Sequence, residues 1–152
     1  GLLAVHSLSK RSNLAGYRAG FVAGDPALIS RLLEVRKHAG MIVSAPVQAA
    51  IIAALGDDDH VVTQRSRYAA RRTLLLPALR AAGFTVAAPG AGLYLWSTRD
   101  EGCWDTVRWL AERGILAAPG EFYGAAGARH VRLALTANDE RVAAAAARLA
   151  GG

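Results

Sequence analysis

Ser7-Leu8-Ser9-Lys10-Arg11-Ser12-Asn13-Leu14-Ala15-Gly16-Tyr17-Arg18-Ala19-Gly20 is the stretch on which the reading of this chain turns. Small residues surround one lysine, and an arginine follows eight positions later, between Tyr17 and an Ala-Gly pair. Lysine is scarce here. Of 18 basic residues, only Lys10 and Lys37 are not arginine. A lysine at a loop end is ordinarily a solvated surface residue. The flanks of Lys10 argue for more. Leu2–Ser7 reads as a buried strand that ends at the lysine loop, and Ala19–Ala23 reads as a second short strand that leaves it.

Working outward, Gly24-Asp25-Pro26 closes that strand and starts a helix. Asp25 is a good N-cap and Pro26 sits where a first helical turn tolerates it, so a helix is expected over 26–38. Leu28, Leu32, Val35 and Ala39 give it an apolar stripe. Ser44-Ala45-Pro46 opens another helix to about Leu55, apolar almost all round and therefore expected to be buried. The acidic run Asp57-Asp58-Asp59 suits the start of a helix over 58–82, within which Pro77 should bend or interrupt the backbone. From residue 84 the texture changes to short elements. Strands are expected at Phe84–Ala87, Leu93–Ser97, Ile115–Ala118 and His130–Leu135, with a helix over Trp104–Arg113. Thr136-Ala137-Asn138-Asp139 has capping-box form ahead of an alanine-rich helix to about Leu149.

At 152 residues, with 53% hydrophobic and 20% charged positions, the chain has the composition of a folded domain rather than a disordered one. The opening Gly1-Leu2-Leu3-Ala4-Val5 looks like the middle of a protein, so an N-terminal half is expected to lie outside this sequence. No apolar stretch approaches the ~20 residues that span a bilayer, and no signal peptide is visible. The single Cys103 rules out an internal disulfide and fits a reducing cytoplasm. It is expected to be a buried small residue rather than a nucleophile. The net charge of +6 raises nucleic-acid binding as a rival. Its best support, Arg65, Arg67, Arg71 and Arg72, wraps around more than one helix face without a nucleic-acid motif, and reads as a solvated surface. His6, His38, His60 and His130 share no metal-ligand spacing, so no metal is expected. Trp96, Trp104 and Trp109 read as packing residues.

The lysine run resembles the Schiff-base lysine segment of class I aminotransferases of the aspartate aminotransferase superfamily, which use pyridoxal 5'-phosphate. The resemblance implies an α/β chain, the C-terminal part of a fold type I transferase. Residues 1–57 would be the tail of the large cofactor-binding domain, 58–82 a linking helix, and 83–152 a small α+β domain. It implies that Lys10 is the catalytic residue and, with Ser7 and Arg18, holds the cofactor. The chemistry fits those residue types. An imine-forming lysine needs partial desolvation so that its neutral amine is accessible, and a phosphate needs hydroxyl and guanidinium donors.

Further on, Gly127-Ala128-Arg129-His130-Val131-Arg132-Leu133-Ala134-Leu135 resembles the family's small-domain strand, and Pro119-Gly120-x-x-Tyr123-Gly124 the loop before it. Arg132 is thereby implied to grip the substrate α-carboxylate, with Arg129 structural. The run after Lys10 looks most like the N-succinyldiaminopimelate aminotransferases of lysine and diaminopimelate biosynthesis. Aspartate-type members carry an arginine four residues before the Ser of Ser-x-Pro; here that position is Gly40, which agrees with a longer substrate. The implied reaction is transamination between glutamate and N-succinyl-2-amino-6-oxopimelate, by a cytoplasmic homodimer acting on small amino and keto acids, with no nucleic-acid or membrane partner. Another class I aminotransferase or a pyridoxal phosphate-dependent C–S lyase is the alternative on the same scaffold. A non-catalytic basic binding domain is the alternative of a different class. The family's glycine-rich phosphate turn, ring-stacking aromatic and pyridine-nitrogen aspartate are not in this sequence, so the 152 residues alone are expected to be inactive.

Overall fold

The computed structural model describes residues 1–151, which divide into two compact units, Gly1–Gln64 and from Arg65 on. In the first, β1 (Leu3–Ser7) pairs antiparallel with β2 (Gly20–Gly24), from Leu3 opposite Gly24 to Ser7 opposite Gly20. Between them lies α1 (Leu8–Arg11), then a short 3-10 turn at Ala15–Tyr17. Helix α2 (Pro26–His38) starts as its sequence dictates: the Asp25 carboxylate accepts from the amides of Ala27 and Leu28 at 2.9 and 3.1 Å. Helix α3 (Ala45–Leu55) follows.

Two expectations fail in this unit. Every residue of β1 is exposed, and α3 buries none of its side chains, with Ile52 at 71% exposure. Apolar composition predicts what a segment would bury against a partner. It does not supply the partner, and within this unit only Leu8 and Ala19 join the buried apolar set.

Helix α4 (Asp59–Ala81) begins in the first unit and ends in the second. Pro77 does not interrupt it. Pro77 and Thr73 both lie on the exposed side, where water can take up the carbonyl that the proline leaves unbonded, while Leu75 and Leu79 are buried on the other side. The second unit is built on a four-stranded antiparallel sheet in the order β3-β4-β6-β5, comprising β3 (Thr85–Ala87), β4 (Tyr94–Thr98), β5 (Ala118–Pro119) and β6 (Val131–Ala134). Strand β5 is shorter than the expected Ile115–Ala118. Ile115 and Ala117 are buried at 7% exposure each, but Leu116 between them points to solvent at 94%. Helices α5 (Cys103–Glu112) and α6 (Asp139–Ala150) each bury three residues: Cys103, Thr106 and Leu110, and Val142, Ala146 and Leu149. Their apolar members join Leu79, Phe84, Leu95, Val131, Leu133 and Leu135 in one continuous core. The cap of α6 is Asn138, whose side chain accepts from the Arg141 amide, rather than the Thr136 that the capping-box form suggests.

The arginines also differ from expectation. Arg65 and Arg67 are exposed, but Arg71 and Arg72 are half-buried. Arg71 Nε donates to Asp139 at 2.6 Å and its Nη1 to the Leu135 carbonyl at 2.9 Å, while Arg72 donates to the Gly92 carbonyl. Arg99 and Arg113 both stack on Trp109, at 4.0 and 3.7 Å from the ring centre. Part of the positive charge is therefore used inside the fold, where a guanidinium can stack and bond at once. No helix among the described residues is long and apolar enough to cross a membrane.

Candidate active site

In the first unit, the lysine lies on a helix of four residues. The Ser7 hydroxyl caps α1, accepting from the Ser9 amide at 3.2 Å and donating to the Ser9 hydroxyl at 3.0 Å. Leu8, fully buried, pins the helix from below. Lys10 points to solvent and forms no hydrogen bond or ion pair among the described residues. The residues of this unit therefore do not supply the desolvation that imine chemistry calls for.

Arg18 has the backbone of a left-handed turn, φ 52° and ψ 44°, a conformation that costs a non-glycine residue about 1–2 kcal/mol. Such strain persists where its surroundings over-determine it, and functional sites are a common place for it. Ser7, Ser9 and Arg18 line one hollow of about 460 Å³ floored by Phe21, Ile29 and Leu32. Two hydroxyls and a guanidinium over an apolar floor are a donor set suited to a phosphate dianion. Lys10 is not among the residues lining that hollow.

A second polar cluster sits directly behind α1. Arg11 bonds the Ala54 carbonyl at 2.8 Å, the Ser12 hydroxyl at 3.1 Å and the Asp58 carboxylate. His60 Nε2 meets the Ser12 hydroxyl at 3.0 Å and its Nδ1 meets Asp57 at 2.9 Å. The hydrogen bond to His60 holds the Asp57 carboxyl below its ordinary value of 3.8, and it outweighs the opposing effect of desolvation.

In the second unit, Arg132 occupies the middle of the sheet, opposite Trp96 on β4 and Ala118 on β5. Its neighbours Val131 and Leu133 are buried in the core, so alternation turns Arg132 to the other face. There its guanidinium carbon lies 4.1 Å above the Tyr94 ring and 5.0 Å from the Tyr123 ring centre. Trp96 stacks on His130 at 5.2 Å, nearly parallel, and meets Tyr123 edge-on. The Nε of Arg132 is buried without a protein partner among the described residues. Arg129 is engaged elsewhere, paired with the Asp100 carboxylate at 2.7 Å.

The aromatic frame of Arg132 is missed when each residue is read singly, since Trp96 then looks like packing. The signal for it was the alternation Tyr94-Leu95-Trp96, which places both rings on one sheet face. The loop before β6 is shaped by contact between two glycines. A methyl group on Gly120 would lie 2.1 Å from the Gly127 carbonyl oxygen, and one on Gly127 equally close to that of Gly120.

Comparison with known proteins assigns the chain to a family. The family model for aminotransferase class I and II matches residues 1–149. This chain belongs to that family. Its members are transferases that use pyridoxal phosphate, and the fold is that of the fold type I enzymes. A probable aminotransferase of Mycobacterium tuberculosis is 68% identical over 149 residues, covering 98% of this chain and 36% of that protein. The 4-dedimethylamino-4-oxo-anhydrotetracycline transaminase of Streptomyces rimosus is also 68% identical, covering 98% of this chain and 42% of its own length. Among solved structures, a probable N-succinyldiaminopimelate aminotransferase of Thermus thermophilus superposes with a TM-score of 0.84 at 31% identity, over 97% of this chain and 40% of that one. The aminotransferase chain thus spans about two-fifths of the length of the curated relatives it matches.

Proposed function

We propose that these residues are the lysine-bearing and carboxylate-binding portion of a pyridoxal phosphate-dependent aminotransferase. The observation that carries the reading is the shared hollow of Ser7 and Arg18 beside the helix of Lys10. In this reading Lys10, Ser7 and Arg18 hold the cofactor, with the Ser7 hydroxyl and the Arg18 guanidinium on its phosphate. The cofactor, when bound, supplies an electron sink for the Cα carbanion. Lys10 Nζ is the general base that removes the substrate Cα proton and later returns a proton. Arg132, steadied by Tyr94 and Tyr123, fixes the α-carboxylate with its forked donors, so that the Cα–H is presented in one orientation. In this reading the exposed Lys10 is covered by segments that the longer relatives carry and these residues do not, and the 152 residues alone do not turn over. We place the enzyme in the cytoplasm as a homodimer, in keeping with its family.

For the substrate, we propose glutamate as amino donor and N-succinyl-2-amino-6-oxopimelate as acceptor, supported by the likeness to the Thermus structure and by Gly40 where an aspartate-specific arginine would stand. A second reading has its own support. The Streptomyces relative, at 68% identity, is named for a polycyclic ketone, and the aromatic face around Arg132 suits a flat ring system.

The test is reductive trapping. Borohydride treatment of the full-length polypeptide with pyridoxal phosphate is expected to label the peptide containing Lys10, and not that containing Lys37. No label at Lys10 would refute the reading. Turnover of the succinylated keto acid against the anhydrotetracycline ketone then separates the two substrates.

A further inference from the structure

Lys10 stands on a single helical turn, and a turn of four residues has too few internal hydrogen bonds to hold its own shape. Since the Lys10 side chain forms no hydrogen bond or ion pair among the described residues, its place is set by what holds the residues on either side. On one side that is Leu8, fully buried, its amide bonding the Ala19 carbonyl at 3.4 Å. On the other it is the cluster of Arg11, Ser12, Asp57, Asp58 and His60. We propose that Arg11 and His60 are positioning residues for Lys10, locking the end of its helix onto the segment that joins α3 to α4. This rests on Lys10 being the reactive lysine.

The geometry is that of a clamp with two jaws. Arg11 follows Lys10 directly, and its side chain is only 18% exposed. One Nη donates to the Ala54 carbonyl, in the last turn of α3, where helical carbonyls lack partners of their own. The other Nη pairs with Asp58, immediately before α4. Ser12 ends the lysine helix, its amide bonding the Leu8 carbonyl at 3.1 Å. Its hydroxyl is held by Arg11 on one side and by His60, in the first turn of α4, on the other. Asp57 fixes the His60 ring through Nδ1. A one-residue slip of α1 would break these bonds together, which is what a positioning device requires.

Ser12, His60 and Asp57 also have the contact order of a hydrolytic triad, but two observations oppose that use. The Arg11 guanidinium donates to the Ser12 oxygen and occupies a lone pair that a nucleophile needs. Neither Ser12 nor His60 lines the hollow beside Ser7 and Arg18. The clamp is the better account.

The test uses the full-length protein and two independent readouts. The first needs no cofactor: amide hydrogen exchange of residues 8–14. In Arg11→Ala and His60→Ala it is expected to speed up about 10-fold, while residues 131–135 stay unchanged. The second is kinetic, per bound cofactor. For Arg11→Ala, kcat is expected to fall about 10- to 100-fold with KM for the amino donor within about 2-fold. The pH at which the visible band of the bound cofactor changes should also shift. Arg11→Lys keeps the pairing with Asp58 but loses the fork, and should recover part of kcat. If Arg11→Ala does not fold, Asp58→Asn removes one jaw from an exposed carboxylate and is read the same way. Unchanged exchange at 8–14 in these variants overturns the clamp, as does unchanged kcat. A wild-type protein that is not trapped at Lys10 overturns the reading of function instead, and exchange still judges the clamp.

Discussion

The two units of this aminotransferase chain have similar local structure and very different interiors. Each has antiparallel strands, helices with side-chain caps and tight turns. Beyond Arg65 the apolar residues form one core of buried leucines, valines and a phenylalanine, shared by α4, α5, α6 and the sheet. Before Gln64, Leu8 and Ala19 are buried, while Leu2, Val5 and Ile52 are exposed at 79, 78 and 71%. Regular secondary structure and a core are thus separable products of a sequence. Caps and periodicity act over a few residues, whereas burial needs a partner surface. The first unit carries Lys10 on a framework held mainly by hydrogen bonds and ion pairs. The second holds its arginine on a packed sheet.

The sharpest way to break this contrast is to separate the units. Residues 65–152, made alone, should melt in one cooperative transition, because their core lies within that segment. Residues 1–64 alone should lose ellipticity gradually, with no transition. A cooperative melt of 1–64 at a similar midpoint would show that the hairpin and its helices form a core of their own. Single substitutions probe the same difference more gently. Leu110→Ala and Leu95→Ala, both fully buried, should each cost about 2–5 kcal/mol in urea unfolding. Leu2→Ala and Val5→Ala should stay within about 0.5 kcal/mol.

What could be read from the sequence follows the same division. The start of α2 at Asp25-Pro26 and the lysine run were legible, because each depends on neighbours within a turn or two. The burial of β1 and α3 was not, because Leu2 and Ile52 carry no mark of whether anything covers them. Pro77 misled for a related reason: the cost of a proline depends on whether water reaches the carbonyl it frees. Leu116 looked like a strand residue, yet it lies outside the ladder with its side chain in solvent. In the candidate site, Lys10, Ser7 and Arg18 were marked by the resemblance of their run to the family's lysine segment, with residue types that suit the chemistry. The frame of Tyr94, Trp96 and Tyr123 around Arg132 did not, since it takes strand register to bring together residues so far apart in sequence.

Helix caps test whether local order is coupled to a core. Asn138 and Asp25 make the same kind of bond at the starts of α6 and α2. Asn138→Ala should lower the global stability by about 1 kcal/mol, because α6 unfolds with the core that it covers. Asp25→Ala, despite losing two hydrogen bonds, should leave that transition in place and only fray α2 locally. Equal shifts in the global midpoint would mean that the two units unfold as one.

The smallest effect concerns Asp57, where the first unit uses a hydrogen bond in place of packing. Its carboxyl titrates below the ordinary value of 3.8 in the folded chain because His60 bonds the ionised form. A depressed carboxyl favours the folded state above the unfolded value, and that contribution fades as pH falls through the lower, folded value. The expected window is therefore below about pH 4, with no change near neutrality. Because Asp57 is exposed, global unfolding is a poor readout and the carboxyl resonance a direct one. In the wild type its midpoint should lie under 3.8, and in His60→Ala it should rise toward the ordinary value, since the side-chain bond is the largest cause of the lowering while the backbone amides of Asp59 and residue 60 remain. A midpoint that ignores the histidine would mean that the Asp57–His60–Ser12 chain behind the lysine helix is not formed in solution, and that the first unit lacks one of the few restraints it has in place of a core.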